Sequence, residues 1–179
     1  MDKTSHSKWF TQPEMLVGLS AVLVSLVALV VGVYSAYVDR EFARASVWPS
    51  LLLAQSYNSE RFSYLLLNQG TGPAIIKYAR LESNGKVFKV WADWLEDEGF
   101  ANAPFSQSHI GGGVVRAGQQ VVAFSTEDMG LKAHLSEGAQ NSLKVCYCSV
   151  FDDCWVVDGF DAQTEVDACS ISDDERFTQ

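Results

Sequence analysis

Basic residues are in short supply in this sequence. Thirteen Lys and Arg stand against 22 Asp and Glu, a formal net charge of −9. A surface that grips a nucleic-acid backbone needs clustered Lys and Arg, so that partner class is excluded. No cysteine precedes Cys146, which leaves the apolar N-terminal run without a nearby lipid acceptor. Other signatures are missing too: a βαβ rhythm, an internal repeat and a low-complexity tract. There is no nucleophile turn with an acid partner and no Gly-rich loop followed by Lys-Ser/Thr. The chain therefore reads as non-enzymatic, with no catalytic residue, no cofactor and no metal.

Charge is also absent locally. Residues 15–38, MLVGLSAVLVSLVALVVGVYSAYV, carry none. A helix of that length is roughly 36 Å long, enough to cross a ~30 Å hydrocarbon core. Trp9 and Phe10 before it, with Tyr34 and Tyr37 at its far end, stand where interfacial aromatics belong. A cleaved signal peptide would have a shorter apolar run of ~7–15 residues. The bulky Tyr34-Ser35-Ala36 stretch also makes a poor cleavage site. The expectation is a retained transmembrane helix over 15–38 in contact with the lipid bilayer, after an N-terminal tail over 1–14.

Small residues inside that helix fall in register. Gly18, Ala21, Ser25, Ala28, Gly32 and Ser35 follow spacings of 3, 4, 3, 4 and 3. A seam of small side chains lets backbones approach in lipid, and its 3.5-residue period favours a left-handed crossing. The expected partner is another transmembrane helix, from a second copy or from a larger membrane complex. Lys3 and Lys8 on one side balance Arg40 and Arg44 on the other. Loop charge alone thus leaves the orientation open.

Residues 39–47, DREFARASV, predict a helical extension, ended by Trp48-Pro49. From there short β-branched, aromatic and Leu-rich runs alternate with turn signals. They predict strands near 50–57, 61–68, 74–83, 107–110, 114–125 (broken at Gly118), 143–151 and 154–158. Asn84-Gly85 is a tight-turn dipeptide. Val87, Val90, Trp91, Trp94 and Leu95 have helical spacing and predict a helix over 86–98, stopped at Gly99. A second helical turn is expected over 127–136. The fold class is mainly β: a transmembrane helix followed by an antiparallel immunoglobulin-like β-sandwich over 48–170, with a short helical insertion. Residues 171–179 read as an acidic C-terminal tail.

All four cysteines lie in the last 34 residues. Cys148 and Cys154 flank a five-residue loop and would stand opposite each other across a hairpin. Cys146 and Cys148 share one strand face and cannot easily bond each other. That leaves Cys148–Cys154 with Cys146–Cys169, a pairing suited to an oxidising compartment. The rival is a four-cysteine metal site, but C-x-C-x5-C-x14-C lacks the paired knuckles of structural zinc.

Three weaker signals complete the inventory. His6, His109 and His134 have no spaced partners. Asp152, Asp153, Asp158, Asp161, Glu165 and Asp167 read as a solvated acidic face rather than a calcium site. Arg61, Lys77, Arg80, Lys86 and Lys89 form the one mid-chain cluster able to supply an anion pocket.

The segment NQGTGPAII at 68–76, together with the apolar helix, Trp48-Pro49 and CYCSVFDDCW, resembles a loose group of bacterial single-pass membrane proteins. Their pattern is an N-terminal anchor, an N-x-G-x-G-P-A turn and a C-x5-C-W hairpin. The resemblance implies an architecture and a bacterial source, and it implies no activity. Within the turn, Gly70 and Gly72 permit positive φ and Pro73 fixes the start of the next strand.

Two functions follow as expectations. One is an accessory or assembly subunit, or interaction module, of a membrane complex in the bacterial inner membrane, its C-terminal domain in the periplasm. The other is a cytoplasm-facing, ligand-sensing effector that oligomerises through its transmembrane helix.

Overall fold

The structure, a computed structural model, describes residues 13–137, 141–159 and 163–179. Lys3, His6, Lys8, Trp9, Phe10 and Asp161 lie outside those residues. The chain divides into two units, Met1–Ala45 and Ser46–Gln179.

The first unit is built on α1 (Pro13–Ser46), which joins the expected apolar span and its charged extension in one continuous helix. Proline suits the first helical turn, where its missing N–H is no loss. Glu14 in the first turn and Arg44 in the last complement the helix dipole. Every residue from Pro13 to Phe42 is exposed. The most apolar 18-residue window has a mean hydropathy of 2.8 and buries nothing. One N-terminal helix is therefore long and apolar enough to span a membrane.

The second unit is mainly β. Its elements in order are β1 (Leu51–Tyr57), β2 (Phe62–Asn68), β3 (Ala74–Ser83), β4 (Lys86–Phe88), α2 (Trp91–Asp97), β5 (Phe105–Gln107), β6 (Gly113–Val115), β7 (Gln120–Thr126), α3 (Met129–Ser136), β8 (Asn141–Cys148), β9 (Cys154–Asp158) and β10 (Thr164–Val166). They form two antiparallel sheets, ordered β1-β2-β7-β5 and β10-β9-β8-β3-β4, with β6 also pairing β3. One core lies between them. Leu53, Phe62, Leu66 and Phe124 come from the first sheet, and Ala79, Leu81, Val145 and Tyr147 from the second. The Leu51 N–H donates to the Tyr147 hydroxyl at 3.1 Å, a direct tie between the sheets.

Three expectations need correction. The helix expected over 86–98 begins only at Trp91, because Asn84 (φ 50°) and Gly85 (φ 77°) make a tight turn that folds Lys86–Phe88 back onto Leu81–Ser83. The remaining α2 still buries Trp91, Trp94 and Leu95. The strand expected at 107–110 lies at Phe105–Gln107 instead, paired to β7.

The third correction concerns residues 171–179, which are part of the domain rather than a tail. Phe177 is 1 % exposed, with its ring set edge-on to Trp91 at 4.9 Å between centroids. Backbone N–H groups of Phe177 and Thr178 donate to the carbonyls of Ala79 and Lys89. The acidic composition hid this, because Asp173, Asp174 and Glu175 face cations while one aromatic carries the burial.

The 68–73 turn is held by Asn68, which is 2 % exposed. Its Nδ2 donates to the carbonyls of Gly72 (2.8 Å) and Val115 (3.0 Å), and its Oδ1 accepts from the N–H groups of Ser50 and Gly70. The glycines serve space rather than positive φ. A Cβ on Gly70 would lie 2.3 Å from the Trp48 carbonyl oxygen, and one on Gly72 1.7 Å from that of Val47. The turn thus clamps the segment by which the chain enters the domain.

Candidate functional site

The four cysteines converge on one end of β8. Cys146 is bonded to Cys169 with 5.8 Å between Cα atoms, and Cys148 to Cys154 with 4.0 Å. Strand alternation puts Cys146 and Cys148 on the same face of β8. The β8–β9 register sets Cys148 directly opposite Cys154. Between them, the Ser149 hydroxyl accepts the Phe151 N–H, and Asp152 takes a positive φ of 63°. The Sγ atoms of Cys148 and Cys169 lie 3.7 Å apart. Cys148, Cys154 and Cys169 are close enough to share an ion, but in disulfides their sulfurs have no thiolate to offer a metal.

The small residues Gly18, Ala21, Ser25, Ala28, Gly32 and Ser35 all lie within α1, and among the described residues nothing lies within 4 Å of a Cβ built at Gly18 or Gly32. The Ser25 hydroxyl donates to the Ala21 carbonyl at 2.8 Å and so spends its donor within the helix.

The cations of the anion-pocket reading do not converge. Arg61, at the head of β2, pairs with Glu127. Arg80 pairs with Glu82 and, at 3.2 Å, with Glu175. Lys86 pairs with Asp97, and Lys89 with Asp174 at 3.5 Å. Arg80 sits above its ordinary pKa: burial opposes the charge, and the two carboxylates more than offset that. Arg80, Lys86 and Lys89 are thus paired with carboxylates in or beside β3 and β4, Lys77 is exposed on β3, and Arg61 lines a separate cleft of about 190 Å³ with Phe105, Ser106 and Glu127. Among the acidic residues, Asp158 meets Lys144 at 2.7 Å and the Ser142 hydroxyl at 2.5 Å. Burial raises its pKa, but these partners outweigh burial and hold the carboxyl below the usual range.

One cluster has no signature in the sequence. The Glu98 side chain, 9 % exposed, accepts from the Ser83 hydroxyl at 2.6 Å and contacts His134 Nε2 at 2.9 Å. Burial pushes its carboxyl up, yet the hydrogen bonds from Ser83 and His134 bring it below its ordinary value. In this trio the Ser83 hydroxyl donates to the carboxylate. The trio ties α2, the β3–β4 turn and α3 together. The three residues lie 15 and 36 positions apart, and no local spacing could announce them. His109 stands instead beside an open cleft of about 570 Å³ between β6 and β7.

Comparisons with models of protein families, with curated proteins and with solved structures return no match.

Proposed function

We propose that this chain is a single-pass membrane protein whose β domain is an accessory or assembly module, held by α1 and presented in an oxidising compartment such as the bacterial periplasm. The observation that carries this is the exposure of α1 along its whole uncharged length. A Leu or Val side chain left in water forgoes about 1.5–3 kcal/mol, so a run of this length calls for lipid. The domain has a core of its own. The two disulfides fit export.

The strand order supports the immunoglobulin-like reading. Taking β1, β2, β3, β5, β7, β8 and β9 as strands A to G, the sheets run A-B-E-D and C-F-G, the arrangement of that sandwich class. Such domains serve as rigid platforms for contact with other proteins. The pairing of Arg61, Arg80, Lys86 and Lys89 with carboxylates favours contact over capture of an anionic ligand.

Alkaline carbonate washing of membranes, with a tag on each end, tests the reading. A chain that stays in the pellet with both tags supports it. A soluble product that has lost the N-terminal tag would mean that α1 is a removed signal sequence.

A further inference from the structure

The two disulfides meet at one end of β8, and their sulfurs form one cluster. The Sγ atoms of Cys148, Cys154 and Cys169 all lie within 4.8 Å of one another, and Cys146 is bonded to Cys169. Cys148 and Cys169, which are not bonded, stand 3.7 Å apart. Closing that gap to a bond of ~2.05 Å needs a shift of under ~2 Å. Cys169 has the freedom for it: residues 167–179 hold no helix or strand, whereas Cys146 and Cys148 are fixed two positions apart on one face of β8. Access differs too. Cys146, Cys148 and Cys154 are buried, and Cys169 is half-buried.

We propose that this cluster is a thiol–disulfide exchange site, which takes a dithiol at Cys169 and, when half reduced, joins Cys148 to Cys169. A thiolate of the dithiol attacks Cys169 Sγ, and Cys146 leaves as thiolate. The second thiolate of the dithiol attacks its own sulfur in that mixed disulfide, departs as a closed disulfide and releases Cys169 as thiolate. Cys169 then attacks Cys148 Sγ; the Cys148–Cys169 bond forms, the Cys148–Cys154 bond breaks, and Cys154 leaves as thiolate. The dithiol is oxidised, and Cys146 and Cys154 hold its two electrons as thiols. Entry at Cys154 converges on the same state, because the freed Cys148 thiolate attacks Cys169 and expels Cys146. The new thiols do not rejoin each other. Cys146 faces Val156 and Cys148 faces Cys154, so Cys146 and Cys154 are diagonal neighbours at ~7–8 Å, beyond disulfide reach. The exchange keeps the C-terminal segment stapled to β8 and unstaples the β8–β9 hairpin, whose tip exposes Val150 and Phe151.

The test uses the full chain with all four cysteines and limiting dithiothreitol. An internal thiolate at about millimolar effective concentration reacts roughly a hundredfold sooner than about 10 µM dithiothreitol. After acid quenching, free thiols are alkylated with N-ethylmaleimide and the peptides mapped. Chains with two labels are expected to carry them on Cys146 and Cys154, with Cys148 joined to Cys169. Doubly labelled chains that keep a native disulfide and never show that pair would overturn the inference. So would a Cys148–Cys169 pair that forms only after urea has unfolded the chain. Cys146→Ser starts with Cys169 free and is expected to give the same pair, with Cys154 labelled. Recovery of Cys148–Cys154 with the label on Cys169 would contradict it. The inference needs the paired cysteines and not the anchor, so loss of the chain from carbonate-washed membranes would remove the anchored reading alone.

Discussion

The sulfur of Cys148 lies 3.7 Å from that of Cys169, although each is bonded to a different partner. A thiolate released at Cys148 is therefore in reach of the neighbouring disulfide. In Cys154→Ser, the Cys148 thiolate is expected to attack Cys169 Sγ, forming Cys148–Cys169 and expelling Cys146 as thiolate. Peptide mapping after acid quenching would find that non-native pair. Mapping that recovered only Cys146–Cys169 would show the two sulfurs held out of line.

The Cys146–Cys169 bond closes a loop of sequence separation 23. Replacing both cysteines with Ser is expected to cost about 3 kcal/mol through the freed unfolded chain. Urea unfolding of the variant measures it, and a change well under 1 kcal/mol would mean that Phe177 alone holds the C-terminal segment.

Phe177 provides a second stability prediction. Its ring is buried against Trp91, and Phe177→Ala is expected to cost about 3–5 kcal/mol. Truncation after Arg176 should be as damaging. Full stability of either variant would contradict the docking of residues 171–179.

Gly72→Ala tests the entry clamp. The added Cβ meets the Val47 backbone at 1.7 Å, so the turn must open and release the bonds to Asn68. A loss of about 2 kcal/mol or more is expected. Gly99→Ala has open space around its Cβ but a φ of 85°. It is expected to cost about 1–2 kcal/mol, through backbone strain alone.

Stability should fall at both ends of the pH scale, for opposite reasons. Glu98 and Asp158 ionise below their ordinary values when folded. Their contribution is therefore complete above the usual carboxylate range and is lost as pH falls through the lower folded values. Burial pushes the hydroxyls of Tyr64 and Tyr147 up to about 12. Both hold their protons in the folded state after the unfolded chain has released them, so stability falls as pH rises from the ordinary 10 towards 12. Ultraviolet titration is expected to show a late tyrosine step coincident with unfolding. Glu98→Gln is expected to flatten the acid limb in part.

Much of the fold was legible because local chemistry and global packing agree. The β-branched, aromatic and Leu-rich runs expected as strands near 50–57, 61–68 and 74–83 match β1, β2 and β3 to within a residue, and Asn84-Gly85 marked a real hairpin turn. The error at 86–98 arose where two signals overlapped: helical spacing from Val87 onward competed with a tight turn that needs a paired strand after it. The long-range ion pair and hydrogen bonds at Glu98, and the burial of Phe177, depend on residues distant in sequence and had no periodicity to betray them.

The central claim, an anchored domain exported with its cysteines paired, is tested most directly by labelling intact cells with a large membrane-impermeant maleimide, with and without prior reduction by a membrane-impermeant phosphine. The account predicts a gel shift without lysis that appears only after reduction. Labelling that requires lysis but no reductant would contradict it and place the domain, with free thiols, in the cytoplasm.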